Sequence, residues 1–447
     1  MEYQSIRVLG LFGQTDHEIP ITGKPFFLVG PNGTGKTTIL KSVFFSCTGQ
    51  WDRLSALPIS GIEFVGEETT ITIEKSDFPL FGRIERLFRT TPRRRTRATK
   101  GLWPKTWPAA FKSLKSSRIL DRYSKPFLDR IANEYEYIAE IHNFVTEHTK
   151  DRFLYFPTYR RVERDLKDLI SDDVGENPFE PEPDSQLGKH IENRFERFGE
   201  VIGFGGQDIA ELIEHKAEGI RQQARLALNE HSIGFLEAIV TADLTRTRSF
   251  KNFLIRSDNA EELVTKLEHF APSKIDTKAI KAEVARLVTK LKGQPWGRLR
   301  QKEDMLLYYL SELHSLIQTV DKLSQPLLNL ATYLNSYLKP NKSAEMDASN
   351  SVYILDRIRE ARVSFDDLSS GEKQVVAFFA FLLLHKSDEK LIVLLDEPEL
   401  SLSVSWQKTL VRDLASTGRC SALISATHSP FIVESSDFRQ ILTLGAE

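Results

Sequence analysis

Cysteine is close to absent from this chain: Cys47 and Cys420 are the only 2 in 447 residues. That excludes a disulfide framework and a cysteine-ligated zinc site, and it fits a reducing compartment. An excess of charge of one sign is missing as well. Lys and Arg total 60 against 62 Asp and Glu, a formal net charge of −2, so the overall charge names no partner and leaves room for opposed patches. No apolar run is long enough to span a membrane. The longest, Val375 to Leu384, is about half the roughly 20 residues such a helix needs. The start, Met1-Glu2-Tyr3-Gln4-Ser5, lacks the basic and then apolar pattern of a signal peptide. Internal repeats and low-complexity tracts are missing too. What remains is ordinary globular composition, 40% apolar and 27% charged, at a length that suits two or three domains. The expectation is a cytoplasmic protein with no membrane partner.

Against this background one stretch carries chemistry: Gly30-Pro31-Asn32-Gly33-Thr34-Gly35-Lys36-Thr37-Thr38. It fits G-x-x-x-x-G-K-[ST], the phosphate-binding P-loop. Glycines let successive backbone N–H groups turn inward onto phosphate oxygens, where a Cβ would block the approach. Lys36 can reach the β- and γ-phosphates, and the Thr37 hydroxyl can complete a Mg²⁺ shell. Phe26 to Val29 reads as a buried strand entering the loop. Thr38 to Phe45 reads as the helix behind it, with its positive end facing the phosphates.

Other stretches set the frame. Ile6 to Phe12, His17 to Ile19 and the alternating Glu68 to Glu74 read as strands. From Arg83 to Arg130 the chain holds fifteen Lys or Arg against three Asp or Glu, with Pro92-Arg93-Arg94-Arg95-Thr96-Arg97 at its centre and Trp103, Trp107 and Phe111 close behind. Such a segment suits a nucleic-acid backbone with exposed bases, an acidic protein that mimics DNA, or a solvated loop balanced by acidic neighbours. Arg152 to Arg161 reads as a short apolar strand ending at Pro157, followed by two arginines that suit phosphates or a pairing with Glu163 or Asp165. Ser171 to Ser185 is rich in Asp, Glu, Pro and Gly and reads as an exposed loop. A mainly helical stretch follows, as far as Lys339. In its last helix Tyr309, Leu313, Leu316, Val320, Leu323, Leu327, Leu330, Leu334 and Tyr337 step by four and three. Spacing does not distinguish packing within the chain from packing against a second one; an intrachain helical hairpin is the favoured expectation because it needs only a modest loop. Pro326 is expected to kink the helix or divide it.

Three further segments cluster near the C-terminus. Leu368-Ser369-Ser370-Gly371-Glu372 opens into the apolar run as another anion-reading turn. Leu391 to Leu395 forms a buried strand from whose carboxyl end Asp396-Glu397-Pro398-Glu399 emerges, at the edge where open α/β sheets place their chemistry. Asp396 suits the Mg²⁺ shell and Glu397 the polarisation of an attacking water. Cys420 to Thr427 is a strand ending at His428, which can touch the γ-phosphate.

This order of motifs resembles that of ABC-type ATPases, and most of all the SMC, Rad50, RecF and OLD group, in which a helical insert splits two lobes. The resemblance covers about residues 1–80 and 345–435. It implies an α/β (α+β) ATPase head with a P-loop sheet core and a short coiled-coil-like hairpin in the insert. The divisions it suggests are residues 1–80 for the N-terminal lobe and 81–165 for the basic segment and the rest of that lobe. The helical insert would take 166–340 and the C-terminal lobe 341–447. Asn32, Gly33, Thr34, Gly35, Lys36, Thr37 and Thr38 would bind ATP, with Thr37 and Asp396 on Mg²⁺. Ser369 and Gly371 would be signature residues reading ATP held by a second copy. Glu397 would be the catalytic glutamate and His428 the switch histidine. Head-to-tail dimers with two ATP molecules in the interface follow from the same resemblance.

There are departures. The insert is too short for the long arms of SMC and Rad50 proteins, and Ser403 stands where OLD-like and RecF-like proteins often carry histidine. No glutamine can be assigned to a Q-loop. The short stretch after His428 has no room for a Toprim nuclease domain, so any nuclease is expected to be a separate effector. Pro157-Thr158-Tyr159-Arg160-Arg161 looks like the stand-alone ATPases of bacterial antiphage systems such as PARIS and Septu. The leading expectation is an ATP-driven sensor or scaffold controlling such an effector. The alternative is a DNA-binding repair ATPase that uses Arg83–Arg130. A transport ATPase fits poorly with so large an insert.

Overall fold

The computed structural model describes residues 3–21, 23–67, 70–79, 153–158, 206–241, 250, 253–254, 277–293, 301–347, 349–385, 390–436 and 439–445. The basic segment Arg83–Arg130, the arginines Arg160 and Arg161, and the loop Ser171–Ser185 lie outside them. Two compact units divide the chain. One comprises Met1–Gly205, Ser369–Phe378 and His385–Glu447, and the other Gly206–Leu368 and Phe379–Leu384.

The first unit is built from two sheets and the helices that cover them. Strands β1 (Tyr3–Leu11), β2 (Thr15–Pro20), β4 (Gly61–Gly66) and β5 (Thr70–Glu74) form an antiparallel sheet in the order β2-β1-β4-β5. Alternation explains its two faces. Ile6 and Val8 point into the core, while Arg7 between them stands opposite Glu18 and Glu63 and forms ion pairs with both.

The second sheet is parallel throughout and positions the site. Its order is β12 (Gln440–Thr443), β3 (Phe26–Val29), β11 (Cys420–Thr427), β10 (Leu391–Asp396), β6 (Phe153–Phe156). Every residue of β6 and β10 is buried, the pattern of strands covered on both faces. Helix α1 (Lys36–Cys47), followed by the short α2 (Trp51–Ser55), supplies one cover. Its Val43 and Phe44 share a core with Tyr155, Ile392, Leu394, Ile424 and Ala426. Each Val, Leu, Ile or Phe among them contributes about 1.5–3 kcal/mol when fully buried. On the other face Phe156 meets Phe378 edge-on at 4.9 Å; Phe378 belongs to helix α6 (Ser370–Leu383). Because all five strands run the same way, the loops after β3, β10 and β11 leave one edge of the sheet. That edge holds the P-loop, Asp396-Glu397-Pro398-Glu399 and His428.

In the second unit helices α3 (Gly206–Thr241), α4 (Thr277–Gly293) and α5 (Gln301–Leu338) accompany a meander of β7 (Lys342–Met346), β8 (Val352–Asp356) and β9 (Ala361–Val363). Of the expected seam of α5, Leu313, Leu316, Val320, Leu327, Leu330, Leu334 and Tyr337 are buried, whereas Tyr309 is exposed. Outside that seam, Leu307, Leu310 and Ile317 share a core with Val284, Leu287 and Leu291 of α4, and α5 also packs on α3 and β7. The expected division at Pro326 is absent, and α5 passes through it as one helix. A proline inside a helix costs about 3 kcal/mol or more. Here Leu316 and Val320 before it, and Leu327, Leu330 and Leu334 after it, are all buried, and their burial outweighs that cost. Among the described residues no helix is long and apolar enough to cross a membrane.

Candidate nucleotide-binding site

The loop between β3 and α1 has the backbone that its glycines permit. Gly33 and Gly35 have φ of 85° and 97°, in the left-handed region where a side chain is strained. Gly30 is needed for space, since a Cβ there would lie 2.4 Å from the carbonyl oxygen of Leu444. Gly35 caps α1 without a side-chain hydrogen bond, and no acidic residue lies in the helix's first turn. The first amides of α1 and the positive end of its dipole are therefore not neutralised by a side chain from the helix's own start, the condition for taking up an anion.

Lys36 is 5% exposed and donates to the carbonyls of Gly30 and Pro31 at 2.8 and 2.9 Å. Burial pushes its ammonium below the ordinary lysine range, against the opposing pull of Glu397, Asp396 and Glu399. The three carboxylates supply negative charge to an ammonium that is out of water. The Thr37 hydroxyl donates to Asp396 Oδ1 at 2.9 Å, joining residues from opposite ends of the sequence. Asp396 is 3% exposed. Thr34 Oγ1 donates to Pro31 O at 2.9 Å, and Thr38 O accepts from Ser42. Asn32 and Gly33 are exposed at the mouth of the loop.

Glu397 follows directly on β10. Its φ is 51°, a strained value for glutamate that recurs where a side chain must be aimed, and its N–H donates to Ala426 O at 2.8 Å. His428, just beyond β11, brings Nε2 to 3.9 Å from Glu397 Oε1. Thus Lys36, Thr37, Asp396, Glu397 and His428 come to one edge of one sheet, although they are scattered through the sequence.

Ser369 and Gly371 are placed differently. Ser369 is exposed at the start of α6, where its hydroxyl and N–H both donate to Glu372 Oε2 at 2.8 Å, and Glu372 N–H points back to Ser369 Oγ at 3.4 Å. This is a capping box. Gly371 is buried, and a Cβ on it would meet Ser401 O at 2.4 Å. Neither residue bonds to the P-loop cluster among the described residues.

The chain matches the family described as "AAA domain, putative AbiEii toxin, Type IV TA system" over residues 26–434. It belongs to that family. Among solved structures it is similar to the Smc head domain with an extended coiled coil from Pyrococcus furiosus, bound to the C-terminal domain of ScpA. That match has 13% identity, covers 99% of this chain and 92% of that one, and has a TM-score of 0.37. An SmcHead bound to the C-winged helix domain of ScpA matches at 11% identity, 100% and 95% coverage and a TM-score of 0.38. A Pyrococcus yayanosii Smc head with a coiled coil and joint matches at 14%, 100% and 95%, and 0.33. A comparison with curated proteins gave no match.

Several parts of the site carried no role in the sequence reading. Glu399 stood in the quoted motif without one. Gln374 donates to Pro398 O at 3.2 Å, and Gln407 donates to Leu402 O at 2.9 Å; no spacing rule marks either. Phe12, at the tip of the β1–β2 turn, lies against Gly35. Its exposure at 51% is the kind of feature only coordinates reveal.

Proposed function

We propose that the chain binds ATP and hydrolyses it to ADP and phosphate, and that its complete site forms between two copies arranged head to tail. The observation that carries this reading is the 2.9 Å hydrogen bond from Thr37 to buried Asp396, which sets a hydroxyl and a carboxylate side by side next to Lys36. Hard oxygen donors in this pairing fit Mg²⁺, which is commonly held by one or two protein oxygens together with substrate phosphates. Thr37 and Asp396 would hold the ion, and when bound it would neutralise charge on the phosphates.

The chain's own groups divide the remaining work. The amides of Asn32 to Lys36 and the open end of α1 bind the phosphates, and Lys36 adds its charge. Glu397 accepts the proton of the attacking water. His428, within reach of Glu397, donates toward the terminal phosphate and helps orient the water. Ser369 is exposed on the turn that would face the phosphates held by a second copy, while Gly371 beneath it seats that turn on Ser401.

Turnover of this kind suits a sensor or scaffold controlling a separate effector, a nuclease in the antiphage setting. The family description names a toxin–antitoxin system, which supports an ATPase working with a second protein. Measuring ATP turnover and sedimentation of Glu397→Gln tests the reading. The variant is expected to keep ATP, lose turnover and accumulate as dimers; normal turnover would remove Glu397 from its role. Assay with and without DNA separates the repair alternative, which requires DNA-stimulated hydrolysis that weakens steeply with salt.

A further inference from the structure

The motif Asp396-Glu397-Pro398-Glu399 holds a second glutamate beyond the one assigned to water, and its carboxylate is spent on backbone. Glu399 Oε1 accepts from the N–H of His428 at 2.7 Å and from the N–H of Ser429 at 3.2 Å. Its other oxygen is buried and makes no hydrogen bond among the described residues. Around these two amides the loop is gripped again. Ser429 N–H also donates to Thr427 Oγ1 at 2.9 Å, and Ser429 Oγ donates to Gln407 Oε1 at 2.6 Å. Gln407 uses its amide nitrogen on Leu402 O at 2.9 Å, which belongs to the same β10–α7 loop as Glu399; helix α7 is Val404–Ser416.

We propose that Glu399, braced by Gln407, is a positioning residue that fixes the backbone of His428 so that its imidazole meets Glu397 and the terminal phosphate. The proposal rests on the reading of Glu397 and His428 as the hydrolytic pair. The physical reason is leverage. His428 is about one-third exposed and sits past the last paired residue of β11, so nothing in the sheet ladder sets its direction. One carboxylate oxygen held by two successive amides does set it. What matters is the acceptor oxygen shared by both amides, and a misplacement of about 1 Å at a reacting group can cost on the order of 100-fold in rate.

The same loop is held on its other side. Gln374 of α6 donates to Pro398 O at 3.2 Å, and Gly371 abuts Ser401 O. Ser401 itself has φ of 68°, so the loop is tightly specified. A displacement of the Ser369–Gly371 turn is therefore transmitted through Pro398–Ser401 to Glu399, and from there to His428. In a head-to-tail pair this would link the phosphate read by one copy to the hydrolytic group of the same copy's own site.

The test uses full-length Glu399→Gln, Glu399→Ala and His428→Ala, and the double variant Glu399→Ala/His428→Ala. Steady-state turnover, ATP affinity and thermal unfolding are measured for each. Because the second oxygen makes no bond among the described residues, a glutamine keeps the acceptor that matters. Glu399→Gln is expected to stay within about threefold of the parent, since the two amide bonds survive. Glu399→Ala is expected to lose on the order of 10–100-fold in kcat with ATP affinity unchanged. In the His428→Ala background it should cost nothing further, because residues that act through one another are non-additive. A structural defect would instead add to the His428→Ala loss. Normal kcat in Glu399→Ala, a glutamine variant as impaired as the alanine one, or additive losses would each overturn the proposal. Normal turnover in both Glu397→Gln and His428→Ala would overturn the underlying reading instead, so the two failures are distinguishable. Should Glu399→Ala not fold, Gln407→Ala carries the same prediction with a smaller loss in kcat.

Discussion

Two helices start in the first unit at small-residue turns, and they start in opposite ways. Helix α1 opens at Gly35 with no side-chain cap and no acid in its first turn. Helix α6 opens at Ser369 with a reciprocal box to Glu372, a carboxylate set on its own first amides. Both turns look anion-reading in the sequence. Only the first is left open, whereas the start of α6 already has a negative partner. The proposed second role of Ser369 then requires an incoming phosphate to compete with Glu372. Composition does not separate an open helix end from a closed one; the placement of one carboxylate does.

The largest expected effect lies at the open end. Glu397→Gln should slow hydrolysis on the order of 10²–10⁴-fold while ATP still binds, as read by single-turnover phosphate release. Lys36→Ala should weaken ATP binding on the order of 10–100-fold, the worth of a strong charged contact, as measured by calorimetry. Equal ATP affinity in Lys36→Ala would break the contrast, because the open end would then not be the phosphate site.

The closed end should respond more weakly. Gly371→Ala places a methyl 2.4 Å from a backbone oxygen and should cost about 1–3 kcal/mol of stability, seen as a lowered Tm. Glu372→Ala removes half of the capping box and should cost about 1 kcal/mol. If it also raises ATP-dependent dimerisation, competition between Glu372 and phosphate is sharpened into a measured quantity. The smallest effect is a pH signature of Lys36, whose ammonium burial holds below its ordinary value of 10.5. Just below that value the unfolded chain binds the extra proton and the folded one does not. Stability of the nucleotide-free protein should therefore rise with pH in that window, and Lys36→Met should lose the rise.

Much of this arrangement could be read before any coordinates. Phe26–Val29 and Leu391–Leu395 announce themselves because parallel buried strands are continuous apolar runs. Cys420–Thr427, with Ser421, Ser425 and Thr427 in it, is legible chiefly from the apolar Ala422–Ile424. The seam of α5 is legible because burial on one helical face imposes its period. What could not be read depends on distant parts meeting. Glu399 and His428 are 29 positions apart, and Gly371 meets Ser401 across a whole strand. The left-handed φ of Glu397 has no sequence signal, since glutamate ordinarily avoids it. Of the two outcomes expected at Pro326 the division does not occur, because buried leucines on both sides hold the helix together.

The central claim is that a working site takes its P-loop from one copy and its signature turn from another. Mixing two inactive full-length variants, Lys36→Ala and Ser369→Arg, tests it most directly. A mixed pair contains one site with an intact P-loop and an intact signature, so ATP turnover should reappear on mixing. It should also rise more than linearly with protein concentration in the unmodified chain. No recovery on mixing, with turnover per chain independent of concentration, would contradict the account.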